Sequence, residues 1–222
     1  MQLSQLDFPS VWDARLALWE GLKYSLSLTG VAASFGIFLG TILAMARLAE
    51  SKWLNLPATI YVNTFRSLPL VYVILFLYIM LPMATGIQMG ADKSAFITFS
   101  VFEAAYFCEI MRAGIQSIPR GQVGAGQAVG FSYGQNMRYI ILPQAFRNVV
   151  PLLLMQTIIL FQDTSLVYIV GATDLLGAAD KVAHRDNTLV EMYLAVAVIY
   201  FTISFVLSRL VKMLHARIAI IR

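Results

Sequence analysis

The chain has 222 residues, of which 59% are hydrophobic and 13% charged, and its mean hydropathy is +0.74. That balance excludes a soluble globular core and places the chain among membrane proteins. The length suits about five spans of about 20 residues each with their connections, and the net charge of +4 is assigned to topology below.

Residues 1–20 lack the basic start, apolar core and small-residue cleavage site of a secretory signal. Trp12, Leu16 and Trp19 share one helical face, and aromatic residues on such a face favour the membrane–water boundary. We expect a short helix over 9–20, lying on the membrane surface within an outer interfacial segment 1–21. Span 1 is predicted over about 22–46. Its Gly30, Gly36 and Gly40 permit close helix approach. Span 2 is predicted over about 56–81, opened by Pro57, closed by Pro82 and interrupted early by Arg66, Ser67 and Pro69. A cation there either marks a functional or paired site or snorkels to the interface.

Span 3 is predicted over about 95–118. Glu103 lies near its midpoint without a local cation, and Glu109 and Arg112 are three apart, so they can pair on one face. Cys108, the single cysteine, allows no intrachain disulfide and reads as a buried, inert thiol. Span 4 is predicted over about 146–170 and carries Gln162, Asp163, Thr164 and Ser165 in its last third. A polar outer loop over 171–188 and span 5 over about 189–213 complete the pattern. Hydrocarbon cannot satisfy Glu103 or Asp163, so both face a protein interior or a water-filled cavity. They either line the route of a substrate or hold helices together by hydrogen bonds. The two histidines, His184 and His215, are far apart, and no cluster with metal-ligand spacing occurs.

Of the 16 Lys and Arg residues, eleven fall on the side of the 119–143 connection and the C-terminus, and five on the other. The positive-inside rule then puts that connection and the C-terminus in the cytoplasm, with the N-terminus and the 171–188 loop outside. The basic excess is topological, and nucleic acid is not an expected partner.

The connection itself reads PRGQVGAGQAVGFSYGQNMRYIILP, with Arg120 and Arg138 and no acidic residue. Pro119 suits a helix start, Gly130 a C-terminal cap, and Ser132 with Gln135 forms a capping box. The pattern predicts helix, glycine break, helix, then return to the membrane. Gly121, Gly124 and Gly126 each cost about 1 kcal/mol relative to alanine, so the first helix needs a partner surface. On these grounds alone an ordinary interfacial loop and a functional elbow both stay open.

Gly124-Ala125-Gly126, Gly130, Ile140 and Leu142-Pro143 match the spacing of the EAA loop of bacterial ABC importer permeases. That pattern is Glu-Ala-Ala, three residues, Gly, nine residues, Ile, one residue, Leu-Pro. Gly124 stands where the family usually has glutamate, and Gly126 where it has the second alanine. FEAAYFCEIMRAGIQSIPRGQ (102–122), IILPQAFR (140–147) and FQDTSLVYIV (161–170) resemble the polar-amino-acid subfamily, and most closely its glutamate/aspartate permeases. The resemblance extends over about residues 20–210.

The resemblance implies an all-α, type I importer permease fold in one transmembrane domain, residues 1–222, of the bacterial cytoplasmic membrane. It implies coupling helices over 119–139, with Arg120, Gly121, Gln122, Gly124, Ala125, Gly126, Gly130, Leu142 and Pro143 facing an ATPase. Expected partners are a second permease subunit, unlike or identical, two cytoplasmic ATPase subunits that hold ATP and Mg, and an extracytoplasmic amino-acid-binding protein. This chain has no Gly-x4-Gly-Lys-Ser/Thr loop, so it is expected to bind no cofactor and to catalyse no reaction. Arg66, Ser67, Glu103, Gln162, Asp163, Thr164 and Ser165 are the candidate substrate-path residues; relatives often have lysine where this chain has Gln162. Glutamine or another polar or basic amino acid is the alternative cargo. Independent secondary carriers share the intramembrane acids but have no use for the long elbow. An intramembrane Ser–His enzyme would lack a base at depth.

Overall fold

The structure is a computed structural model and describes residues 8–218. The first seven residues of the expected interfacial segment and the last four of the basic tail lie outside them. The described residues form helices and turns with no strand. Four helical stretches are long and apolar enough to cross a membrane, and a broken pair over Lys52–Ser67 and Leu70–Thr85 makes a fifth if taken together. The expected all-α fold with about five spans is what the chain adopts.

Helix α1 is Pro9–Asp13, α2 Arg15–Leu48, α3 Lys52–Ser67, α4 Leu70–Leu75, α5 Leu81–Thr85 and α6 Ala91–Gln116. After these come α7 Arg120–Ala128, α8 Tyr133–Asn136, α9 Leu142–Asp163, α10 Leu175–Asp186 and α11 Leu189–Ile218. The chain divides into two compact units. One holds residues up to Ala33, Leu68–Ser100 and Thr157–Ser208; the other holds Ser34–Ser67, Val101–Gln156 and residues from Arg209 onward.

Three expectations need correction. The surface helix over 9–20 is not separate: only α1 stands apart, and α2 runs without a break from Arg15 through span 1. Gly21, the residue at the expected boundary, is not a break but a point of close approach to the main chain at Asp174. A Cβ at Gly21 would lie 2.6 Å from the Asp174 carbonyl oxygen. Span 2 is not one helix but breaks at Leu68 and Pro69, where the residue before a proline is steered out of the helical region. The outer loop 171–188 contains the twelve-residue helix α10, whose start signal is a single side chain, Asp174.

Two further departures share one cause. Phe76–Met80 and Met137–Ile141 are π-helical, and each runs directly into a Leu-Pro pair, Leu81-Pro82 and Leu142-Pro143. Proline cannot donate a main-chain hydrogen bond and its ring crowds the carbonyl four residues back. The wider turn moves that carbonyl away, so the helix continues instead of ending.

In the first unit, α10 packs on the start of α2 and on α11. Ala14, Leu18, Leu175, Ala179, Val182, Ala183, Met192 and Val196 form its buried cluster. Asp174 is fully buried and caps α10, accepting from the Leu176 and Gly177 amides at 3.1 and 2.8 Å and from the Tyr200 hydroxyl at 3.3 Å. The Leu175 amide donates to Ser25 Oγ on α2 at 3.2 Å. Burial pushes the Asp174 carboxyl up to about 6, against the opposing pull of the two amides. Trp12, Leu16 and Trp19 are exposed, which suits the boundary position expected from their spacing.

In the second unit, small residues set the helix spacing. A Cβ at Gly40 of α2 would lie 2.8 Å from the Cys108 main-chain nitrogen and 2.9 Å from the Ala104 carbonyl of α6; one at Gly36 would lie 2.8 Å from the Phe107 ring. Gly30 has open space around it, so of the three glycines in span 1 two serve close approach and one does not. In the first unit, the exposed apolar residues of α11, Val198, Phe201 and Phe205 among them, form the kind of surface that hydrocarbon covers at no cost.

Candidate functional site: a glycine-rich elbow and a cation cluster

Both features described first belong to the second unit. Pro119 is the N-cap of α7, one residue earlier than the first-turn position its sequence context suggested. The helix ends in a full Schellman closure: the Gly130 amide donates to the Gln127 carbonyl and the Phe131 amide to the Gly126 carbonyl, both at 3.0 Å. Gly130 has φ +81°, the left-handed geometry that this motif assigns to the residue after the cap. The capping box at Ser132 and Gln135 is present in both directions. The return to the membrane follows without a break, because the π-helical turn joins α8 to α9 directly.

Two side-chain hydrogen bonds tie the base of α9 to the stretch leading into and along α7, and a third joins α8 to α7. Asn148 Nδ2 donates to Ser117 Oγ at 2.9 Å, Gln144 Nε2 to Gln122 Oε1 at 3.3 Å, and Asn136 Nδ2 to the Val123 carbonyl at 2.9 Å. Of the expected coupling residues, Arg120, Gly121, Gln122, Gly124, Ala125, Gly130 and Pro143 are exposed, Leu142 is half-buried, and Gly126 is buried. Beside them Val129, Phe131, Tyr133 and Tyr139 are also exposed, an apolar and aromatic lip that composition alone did not single out. Arg138 stacks over Tyr139 with its guanidinium carbon 5.6 Å from the ring centre.

Glu109 is the hub of the second feature. Its Oε2 accepts from Arg112 Nε and Nη2 at 3.0 and 2.7 Å, and its Oε1 accepts from Arg47 Nη1. Arg66 Nη1 stands 3.5 Å from the same Oε1, and its guanidinium lies over the Tyr106 ring at 5.7 Å. Arg47 also anchors α3, since Asn55 Nδ2 donates to the Arg47 carbonyl. The pairing of Glu109 with Arg112 was legible from their spacing. The recruitment of Arg47 and Arg66, 62 and 43 residues away in the chain, was not. Ser67 is exposed and its hydroxyl donates to the Asn63 carbonyl at 2.7 Å.

Glu103 is buried at 1% exposure and accepts from Gln156 Nε2 of α9 at 3.0 Å. Gln162, Asp163, Thr164 and Ser165 belong to the other unit. There α9 ends at Asp163 and the chain continues as a 3₁₀ turn over Thr164–Val170, closed by Gly171 at φ +84°. Gln162 is exposed, Asp163 and Ser165 are half-buried, and Thr164 is buried with its hydroxyl donating to the Phe161 carbonyl at 2.7 Å. Among the described residues no group of three or more His, Cys, Asp or Glu is placed to hold a metal ion.

With this geometry in place, comparison with known proteins gives three findings. The family model "Binding-protein-dependent transport system inner membrane component" matches residues 36–220. The chain is 45% identical to the glutamate/aspartate import permease protein GltK of Escherichia coli O157:H7, covering 97% of this chain and 99% of that one. It is 32% identical to the glutamine transport system permease protein GlnP of Escherichia coli K12, covering 98% and 100%. Among solved structures, a crystal structure of an amino acid ABC transporter with histidines superposes with a TM-score of 0.90 at 30% identity, covering 96% of this chain and 99% of that one. Family membership and fold agree with the resemblance carried by the EAA-loop spacing, and the family's members are transport components rather than enzymes. The chain belongs to the inner-membrane components of binding-protein-dependent transport systems, the permease subunits of ABC importers.

Proposed function

We propose that this chain is the permease subunit of an ABC importer for the acidic amino acids glutamate and aspartate. The observation that carries the cargo assignment is the 45% identity to a glutamate/aspartate permease along nearly the whole of both chains. In this reading the permease pairs with a second, homologous subunit. The elbow of each permease subunit seats in a groove on one of two cytoplasmic ATPase subunits, and an extracytoplasmic binding protein delivers the amino acid. The N-terminus is outside and the C-terminus in the cytoplasm, a reading that the eleven-to-five distribution of Lys and Arg supports. The exposed lip of Val129, Phe131, Tyr133 and Tyr139, flanked by Arg120 and Arg138, supports the docking role.

Arg66 and Ser67, and separately Gln162, Asp163 and Ser165, act as contacts along the route. A guanidinium meets substrate carboxylates, and the Asp163 carboxylate meets an α-ammonium group. Glu103, buried and paired with Gln156, acts by holding α6 to α9 rather than by touching substrate. Thr164, also buried, shapes the 3₁₀ turn.

A glutamine importer is the second reading, supported by the 32% identical glutamine permease. Reconstitution of the whole importer in proteoliposomes, with uptake measured for glutamate, aspartate, glutamine and arginine, separates the two. Saturable, ATP-dependent uptake of glutamate and aspartate is expected. Uptake of glutamine or arginine alone would overturn the cargo assignment.

A further inference from the structure

The family pattern has alanine where this chain has Gly126, and the structure supplies the reason. The side-chain amide of Asn136 occupies the place a Cβ at position 126 would need. That Cβ would stand 2.6 Å from Asn136 Cγ, 2.9 Å from Nδ2 and closer still to Oδ1. Contacts below 3.0 Å are essentially never seen for a real Cβ, and although the obstacle is a side-chain amide, that amide is buried and tied to the Val123 carbonyl, so it yields only by giving up this hydrogen bond. Asn136 is itself 3% exposed and clamped, its Nδ2 donating to the Val123 carbonyl one turn earlier on α7. Its Oδ1 is buried and accepts no hydrogen bond among the described residues.

Asparagine is a poor helix residue, and a buried, unpartnered carbonyl oxygen costs about 1–3 kcal/mol. A side chain kept under both penalties calls for an explanation beyond filling space. Its position supplies one. Asn136 is the last residue of α8, immediately before the π-helical turn that leads into α9, and Val123 and Gly126 lie on α7. One amide therefore ties α7 to the root of the membrane helix. Because Gly126 has no side chain, the two helices touch with nothing between them.

Resting on the reading of the elbow as the coupling element, we propose that Asn136 is a positioning residue for coupling. Through its lock on Val123 and Gly126 it makes α7, α8 and the start of α9 move as one body. Displacement of α7 then becomes displacement of α9 instead of being lost in the joint.

A double-mutant cycle in the complete importer tests this, with Gly126→Ala, Asn136→Ala and the pair together. The readout is the ratio of substrate-stimulated to basal ATP hydrolysis, measured on equal amounts of assembled complex. Gly126→Ala wedges the lock open and Asn136→Ala removes it, so each alone is expected to lower the ratio about tenfold, toward uncoupled hydrolysis. The pair is expected to be no worse than Asn136→Ala alone, because the alanine methyl group then meets no amide. Asn136→Asp, which keeps the shape but loses the donor to Val123, should fall with Asn136→Ala. A wild-type ratio in Gly126→Ala, or losses that multiply independently in the pair, would overturn the lock. A fall only in the amount of assembled complex, with the ratio unchanged, would show Asn136 to be structural and would overturn it equally. Failure of the coupling reading itself is seen separately, as absence of a cross-link from a Tyr133→Cys thiol to the ATPase subunit when Gly126 and Asn136 are unchanged.

Discussion

Gly130→Val is expected to abolish most transport while leaving the permease folded and inserted. Gly130 sits at φ +81° and its amide, with that of Phe131, closes the end of α7. A β-branched residue in the left-handed region costs about 1–2 kcal/mol. The helix it must terminate is already weak, with Gly121, Gly124 and Gly126 inside nine residues, each costing about 1 kcal/mol against alanine. There is no reserve within α7 to absorb the loss, so its last turn frays and the lip at Val129 and Phe131 loses its fixed position. A penalty of that size is about a tenfold effect on a rate or a population. Uptake and substrate-stimulated ATP hydrolysis should fall by about that factor, with membrane levels near wild type on an immunoblot. Gly130→Asn, which tolerates the left-handed region, should retain clearly more activity than Gly130→Val. Equal activity in the two variants would remove the conformational argument.

Glu109→Ala is expected to have the largest effect on stability. It leaves the guanidinium groups of Arg47, Arg66 and Arg112 facing one another without a counter-charge. Removing one partner from a fully buried ion pair costs about 3–5 kcal/mol. The side chains here keep between 14% and 43% of their exposure, so water screens part of the repulsion and about 2–3 kcal/mol is the reasonable range. Thermal unfolding of the purified complex in detergent should show a clear drop in midpoint. Glu109→Gln, which can still accept hydrogen bonds, should fall between the two. An unchanged midpoint in Glu109→Ala would mean that α2, α3 and α6 are held by packing alone. That alternative is a real one, since Gly36 and Gly40 already bring α2 against α6 at backbone contact.

What the sequence disclosed was set by the range of the interactions involved. The elbow was legible because its signals are local. Gly130, the Ser132–Gln135 box and the Leu142-Pro143 pair each act within a few residues, and all appear in the structure where their chemistry puts them. The Glu109–Arg112 pair was legible for the same reason. The partners of Glu103 and of Arg66 were not, because Gln156 and Glu109 reach them from other helices, and no spacing rule encodes that. In the sequence Asp174 is one of three acids, with Asp180 and Asp186, in the polar 171–188 stretch. Only burial against α2 and α11 singled it out as the cap of α10. The π-helical turns were missed because the sequence rule ends a helix at proline, whereas these helices widen and continue. Gly126 looked like a departure from the family pattern. It became intelligible only when Asn136, ten residues later, was seen to occupy the missing side chain's place.

The central claim is that a nucleotide-driven motor acts on this subunit through the elbow, and site-directed cross-linking tests it most directly. Cys108 is fully buried, so a Cys108→Ala background loses no surface contact. Into it, Tyr133→Cys, at 67% exposure on the elbow, and Trp12→Cys, at 70% exposure near the N-terminus, place single thiols. In the assembled importer the thiol at 133 is expected to cross-link to the ATPase subunit, with a yield that changes on ATP addition, and the thiol at 12 is not. Cross-linking of the ATPase from position 12, or none from position 133 in an assembly that still hydrolyses ATP and transports, would contradict it.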